Sequence, residues 1–229
     1  MEDLAFWYWS AVIIGEIKKV TLKKSLGRAV LLLIVLSTAF YLWNVYLNYR
    51  FAEVSQASSS TKVYQSALIP PDEIGKFIEK SKIKTVINLL DASVQDTLNP
   101  AQQRHIDAED KAISLYNQKH NKSVQHINIP SGQIPTKKTL KAFFKVLDNK
   151  DNYPVLLHCY HGTGRTELYS ALYRIEYENW KNNDARAKTR VVVEGLGYTS
   201  SFGKGREKGD FLIDYKPRND KNSTLNTIK

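Results

Sequence analysis

Residues 29 to 47, AVLLLIVLSTAFYLWNVYL, run for 19 positions without a charged side chain. In a helix rising 1.5 Å per residue that is about 28 Å, close to the thickness of a bilayer's hydrocarbon core. A segment of this kind has to satisfy its backbone polar groups internally, so a single transmembrane helix is the expected structure. Trp43, Tyr46 and Tyr49 cluster at its end, as interfacial aromatics do. A buried core helix is the competing reading, but no neighbouring segment is apolar enough to surround this one. Lys18, Lys19, Lys23, Lys24 and Arg28 precede the run, while only Arg50 and Lys62 follow it closely. The positive-inside rule therefore puts residues 1–28 in the cytoplasm and the rest of the chain across the membrane. A cleaved signal peptide fits less well, because FAEVSQASSS offers a poor small-residue cleavage site. The stretch 4–15, LAFWYWSAVIIG, is too short to span and reads as an interfacial anchor.

Beyond the span, 48–61 is polar and reads as a linker. Strand-like and helix-like segments then alternate. KTVINLL (84–90), SVQHINI (123–129) and PVLLHC (154–159) are short apolar runs of buried-strand character. PPDEIGKFIEKS begins with prolines and acids, as helix N-termini do. In PTKKTLKAFFKVLDNK, Leu140, Phe143, Phe144 and Leu147 recur at helical spacing, and Leu168, Leu172 and Ile175 do so after residue 165. The alternation predicts an α/β fold, a mostly parallel central sheet flanked by helices and preceded by the transmembrane helix. From Ser201 the chain is polar and irregular, and 219–229 reads as a disordered tail.

One cysteine in the chain excludes an internal disulfide and any multi-thiolate metal site. A formal net charge of +10 suits an anionic membrane surface or a phosphorylated ligand. No basic run interleaved with aromatics suggests nucleic acid. His105, His120 and His126 lack the short spacing that fixes a metal site, and neither metal nor cofactor is expected.

The lone Cys159 ends the apolar run 154–159 and is followed by a glycine-bearing turn and Arg165. A strand, a tight loop and a helix in succession aim loop amides inward and add the positive end of the helix dipole. Gly162 and Gly164 allow the close backbone approach that such a cradle needs. A thiol facing those amides becomes acidic, because its anion is what they stabilise. Arg165 closes the ring with a planar fork matched to two phosphate oxygens. Residue types alone thus describe a nucleophile set in a phosphate cradle, which is the chemistry of a phosphatase.

The stretch HCYHGTGRT resembles the His-Cys-x5-Arg-Ser/Thr signature of the cysteine-dependent protein tyrosine and dual-specificity phosphatases. VYQSALIPPDEIGKFIEKSKIKTVINLL and INIPSGQIPTKKTLKAFFKVLDNKDNYPVLLHC are similar to the compact dual-specificity subgroup of bacteria, fungi and plants. The resemblance implies a catalytic domain over 62–218. It implies that Cys159 attacks phosphorus to form a phosphocysteine, and that the amides of Tyr160, His161, Gly162, Thr163, Gly164 and Arg165 hold the phosphoryl oxygens. His158 would tune the thiolate, and the Thr166 hydroxyl would hydrogen-bond the sulfur. The family's acid normally sits on a loop before the signature, yet INIPSGQIP has Ser131, Gly132 and Gln133 there. Asp91, following VINLL at the same sheet edge, is the candidate acid, and His161 inside the loop is a second group that could donate the proton or contact substrate. Asp107, Glu109 and Asp110 read as a solvated helix face. Glu167 stands where the family usually has glycine, and would point to solvent or pair with Lys181 or Arg174. The implied substrate is a phosphorylated protein. Alternatives are a phospholipid or other small phosphomonoester, or phosphate binding without turnover. The resemblance also implies a bacterial inner membrane, where the flanking charge places the domain on the extracytoplasmic side.

Overall fold

The computed structural model describes residues 25–94, 102–189, 195, 197, 198 and 200–218. The proposed interfacial stretch 4–15 and the tail 219–229 lie outside the described residues. Two units separate at Asn48 and Tyr49. The first carries one helix, α1, Ser25–Leu47, with a mean hydropathy of 2.0 and none of its apolar window buried. Its last five residues, Trp43–Leu47, are wound as a π-helical turn.

The second unit is built on a five-stranded sheet. β1 (Ala52–Glu53), β2 (Val63–Ser66), β3 (Thr85–Asn88), β4 (Gln125–Asn128) and β5 (Val155–His158) lie in the order β1-β2-β5-β3-β4. Only β1 runs antiparallel; β2, β5, β3 and β4 are parallel. All eight residues of β3 and β5 are buried, which explains why both read as unbroken apolar runs: helices cover both faces. On one face α4 (Lys137–Asp148) and α5 (Arg165–Glu178) bring Phe143, Phe144, Leu147, Leu168 and Leu172 onto Ile87, Val155 and Leu157. On the other, α2 (Ile74–Ser81) and α3 (Gln103–His120) bring Phe77, Ile78 and Ile113 onto Val86 and Leu156. Register places Ser66 beside His158, and Asn88 beside both His158 and Asn128, so the parallel strands end along one edge.

Two segments depart from expectation. The presumed linker 48–61 is largely folded onto the domain. Phe51 stacks on Tyr64 with ring centroids 5.2 Å apart, Val54 is buried, and the Tyr49 carbonyl accepts from Ala67 N at 2.7 Å. The polar tail beyond Ser201 is likewise built in. Phe202 and Leu212 are fully buried, the latter on α7 (Glu207–Asp214), and both join the cluster around α5. α6 (Asn182–Thr189) adds Ala185 to the same cluster. Neither segment shows the apolar periodicity that would have announced it, because each contributes one or two buried residues rather than a stripe.

Arg218 latches this tail. Its guanidinium donates to both Asp148 carboxylate oxygens at 2.9 and 3.1 Å and to Glu176 Oε2 at 3.0 Å, and sits 4.2 Å above the Phe144 ring. The Glu176 side chain is only 1 % exposed and also accepts from the Tyr215 hydroxyl. Arg218→Ala strands a buried carboxylate and removes a cation–π contact. A loss of about 2 kcal/mol in stability is expected, discounted from a fully buried pair because Arg218 is partly exposed. Thermal denaturation reads this as a Tm drop of roughly 4–8 °C.

Candidate active site

Cys159 follows β5 directly and is fully buried, on the α4–α5 side of the sheet with Leu157 and Val155. The ladder runs to this point, since the His158 carbonyl accepts from Leu89 N at 2.9 Å. The loop then turns back against the end of β2, where Tyr160 O accepts from Leu68 N at 3.0 Å. Gly162 has a φ of +70°, and a Cβ there would lie 2.7 Å from Ala67 N and 2.9 Å from the Ser66 carbonyl. Both the angle and the close approach demand glycine. Among the described residues, no carbonyl accepts from the amides of Tyr160, Gly162, Thr163 or Gly164.

Arg165 opens α5 and is 4 % exposed. Its Nη1 donates to the Leu89 carbonyl and the Ser131 carbonyl, each at 2.9 Å, while its Nε is buried without a partner. The β3 end and the 131–133 loop therefore fix the guanidinium and leave one edge of the fork uncommitted. That edge and the loop amides together can hold a tetrahedral anion. Thr166 is also fully buried, but its hydroxyl makes a long 3.5 Å contact to the Ser66 carbonyl and no hydrogen bond to the thiol, unlike the expected arrangement. Glu167 accepts from Gln65 Nε2 at 2.7 Å, and its charge also acts on Arg174. Tyr160 packs beside Leu90, Ile106, Leu68 and Ala92, edge-on to His105 and to His161 at centroid distances of 5.7 and 4.9 Å.

Asp91 lies two residues beyond the Leu89 carbonyl that holds Arg165. Half-buried, it accepts on Oδ1 from Ser93 N at 3.0 Å and from Ser93 Oγ at 2.6 Å, a local Asx turn. Among the described residues, no group bonds its other oxygen. The 131–133 loop, where the family's acid would stand, instead supplies the carbonyl that anchors Arg165 and a buried Ser131 hydroxyl 2.8 Å from Tyr169.

Glu109 overturns the expectation of a solvated face. Asp107 and Asp110 are exposed, but Glu109 is 1 % exposed and points at the sheet. Its Oε2 accepts from Asn88 Nδ2 at 2.6 Å, His126 Nε2 at 2.9 Å and His158 Nε2 at 3.0 Å. His126 reaches Asp110 through its other nitrogen at 3.1 Å, and His158 Nδ1 lies 3.4 Å from the Cys159 carbonyl oxygen. Burial alone would raise the Glu109 pKa. The His158 charge and the two imidazole hydrogen bonds outweigh it and hold the carboxyl at about 2. For His126, burial pushes the pKa down, but Glu109 and Asp110 more than compensate and raise it. A carboxylate at each ring nitrogen favours the protonated form of His126. The signal for Glu109 was present in the sequence: it stands between Ile106 and Ile113, in the apolar stripe of α3.

Lys208 had no such signal. A methyl placed on Gly164 would lie 3.2 Å from Lys208 Nζ and 3.6 Å from Gln133 Oε1, so α7 brings an ammonium to a loop that has no lysine of its own. His105 and His120 serve locally. The first accepts from Gln102 N at the start of α3, and the second stacks on Tyr116 at 4.5 Å. No group of His, Cys, Asp and Glu suited to a metal occurs among the described residues.

A model of the tyrosine phosphatase family matches residues 48–190. Among solved structures, the chain is similar to the core catalytic domain of the PP-IP phosphatase SIW14 from S. cerevisiae in complex with citrate. That similarity is at 16% identity and a TM-score of 0.49, over 76% of this chain and 89% of that one. It is also similar to TpbA from P. aeruginosa, at 19% identity and a TM-score of 0.44, over 71% and 88% of the two chains. A structure of TpbA in complex with pTyr matches at 19% identity and a TM-score of 0.42, over 71% and 93%. No curated protein matches.

Proposed function

The chain belongs to the tyrosine phosphatase family, and from that premise we propose that it is a membrane-anchored phosphatase that removes phosphate from proteins through a phosphocysteine intermediate. One observation carries the reading. Among the described residues, a buried guanidinium stands at the head of a helix with Nη1 tied to two carbonyls and Nε unpaired, beside the amides of Tyr160, Gly162, Thr163 and Gly164, which meet no carbonyl acceptor. An unpaired buried N–H is costly, and an anion seated there relieves the cost.

In this reading the phosphoryl group enters the loop, its nonbridging oxygens meeting the amides of residues 160–165 and the Arg165 fork. The Cys159 thiolate attacks phosphorus as the ester oxygen departs and takes a proton from Asp91. Water then attacks the phosphocysteine, giving its proton to Asp91, and the sulfur leaves as thiolate. The loop and Arg165 stabilise charge on the transferring group in both steps. Full burial of Cys159 keeps bulk water from the sulfur, so the phosphoryl group has to reach it through the loop. α1 supports attachment to a bilayer, and the lysines before it support a cytoplasmic N-terminus.

The test uses the full-length chain in detergent micelles and two substrates with different leaving groups. p-Nitrophenolate leaves with little help, whereas a seryl alkoxide needs a proton. Asp91→Asn is expected to slow a phosphoserine peptide about a hundredfold and p-nitrophenyl phosphate only a few-fold. Equal slowing of both removes Asp91 as the acid. Failure of the unaltered chain to release phosphate from either substrate leaves a phosphate-binding module and ends the enzymatic reading.

A further inference from the structure

Among the described residues, β4 is the last strand of the sheet and pairs only with β3. Gln125 N and Ile129 N donate to Lys84 O and Asn88 O on the β3 side, so by the alternation of a parallel ladder the backbone groups of His126 and Asn128 face outward. Among the described residues no segment pairs with that edge. Beside it α4 presents a stripe at helical spacing, Lys138, Ala142 and Lys145, whose small central residue leaves room next to Ile127 and Ile129. The result is a groove of about 860 Å3 that runs to Asp91 and Gly132, next to the Ser131 carbonyl that holds Arg165. Lys138 and Lys145 are exposed, and neither meets a carboxylate among the described residues.

From the open strand edge, the apolar floor and the two uncompensated ammonium groups, we propose that this groove binds an extended, acidic peptide segment flanking the phosphorylated residue of a protein substrate. The inference rests on the reading of the chain as a protein phosphatase. An extended segment adds to a free sheet edge through main-chain hydrogen bonds, alternate side chains entering the groove and the others facing solvent. The four residues of β4 span about 13 Å at roughly 3.3 Å each, enough for about four peptide residues. Carboxylates on the segment meet Lys138 and Lys145, while the phosphoryl group reaches the loop past Asp91 and Gly132. An acidic segment fits better than a neutral one because both ammoniums otherwise lack a counter-charge.

Two phosphotyrosine peptides with the same phosphorylated core decide the matter, one flanked by Asp and Glu and the other by Asn and Gln. With the full-length protein in micelles at low salt, kcat/KM is expected to favour the acidic peptide by about tenfold. Lys138→Glu/Lys145→Glu should erase or invert that preference, and Ala142→Trp should raise KM for both peptides by filling the groove. Turnover of p-nitrophenyl phosphate, too small to occupy the groove, should be unchanged in each variant. Because the two lysines are exposed, the charge reversal leaves the core intact and reads the groove even if the tryptophan variant misfolds. A peptide preference untouched by the charge reversal overturns the proposal. So does a response to these substitutions confined to micellar phosphatidic acid, which assigns the groove to lipid. Loss of p-nitrophenyl phosphate turnover in the unaltered protein would instead strike at the phosphatase reading itself.

Discussion

Cys159→Ser is expected to lower kcat/KM by at least about four orders of magnitude, or roughly 5.5 kcal/mol of transition-state stabilisation. The exchange of sulfur for oxygen barely changes volume, so a fully buried site should keep its packing and the domain its Tm. The proposed nucleophile is what disappears. A seryl hydroxyl needs a base to ionise it, and the adjacent imidazole of His158 is committed through Nε2 to Glu109. Gly162, the loop amides and Arg165 are untouched by the change, so phosphate binding should survive. Calorimetry with a phosphotyrosine peptide should return a dissociation constant within a few-fold of the unaltered protein, with no phosphate released. Turnover above about one per cent in that variant would assign the chemistry to another group.

Glu109→Gln is the substitution away from the nucleophile with the largest expected effect. One carboxylate oxygen receives three donors from β3, β4 and β5, and the charge faces His126, whose protonated form it favours. Removing it leaves buried imidazole N–H groups without their anion, at a cost of about 3 kcal/mol. In a domain of this size that corresponds to a fall of roughly 6–12 °C in Tm. The pH dependence supplies a sharper signature. Glu109 is held down to about 2 from 4.5, so its contribution is complete above 4.5 and fades as pH falls toward 2. His126 is raised above 6.5, so its contribution is complete below 6.5 and is lost as pH climbs through the higher folded value. The network therefore stabilises most between 4.5 and 6.5. The glutamine variant should lose most stability in that window, giving a flatter Tm profile from about pH 3 to 9. A profile parallel to that of the unaltered protein would show that the network carries no net stabilisation. A roughly tenfold fall in kcat should accompany the change, because Glu109 positions the ring of the residue that precedes the nucleophile.

Much of this domain could be read in advance because its signals are local. β3, β4 and β5 fall inside the three apolar runs, and α4 and α5 inside the two stripes. Tyr169 and Tyr173, on the same helix, are fully buried core residues. The segments that escaped notice have buried residues without a period. β1 has two residues, and Phe51 is recognisable as core only once Tyr64 lies beneath it. Glu109 escaped for another reason. Three acids in four residues resemble a solvated face, although Glu109 falls in line with Ile106 and Ile113. For Lys208 nothing in the sequence could have helped, since its place beside Gly164 depends on α7 folding back across the domain.

The amino-acid sequence alone determined the apolar helix before the domain and the order of cysteine, loop and arginine after β5. Both are contiguous, and a strand, a tight turn and a helix N-terminus need no distant partner to bring a thiol, amides and a guanidinium together. What the tertiary structure decided is the surroundings: that Leu89 and Ser131 hold the arginine, that Glu109 joins two histidines under the sheet, and that no described segment pairs with the outer edge of β4. Those groups come from separate elements, and they meet only when parallel strands settle into register and end along one edge. Side-chain type announces the chemistry, but which backbone carbonyl or buried charge stands opposite is fixed by the packing of elements far apart in the chain.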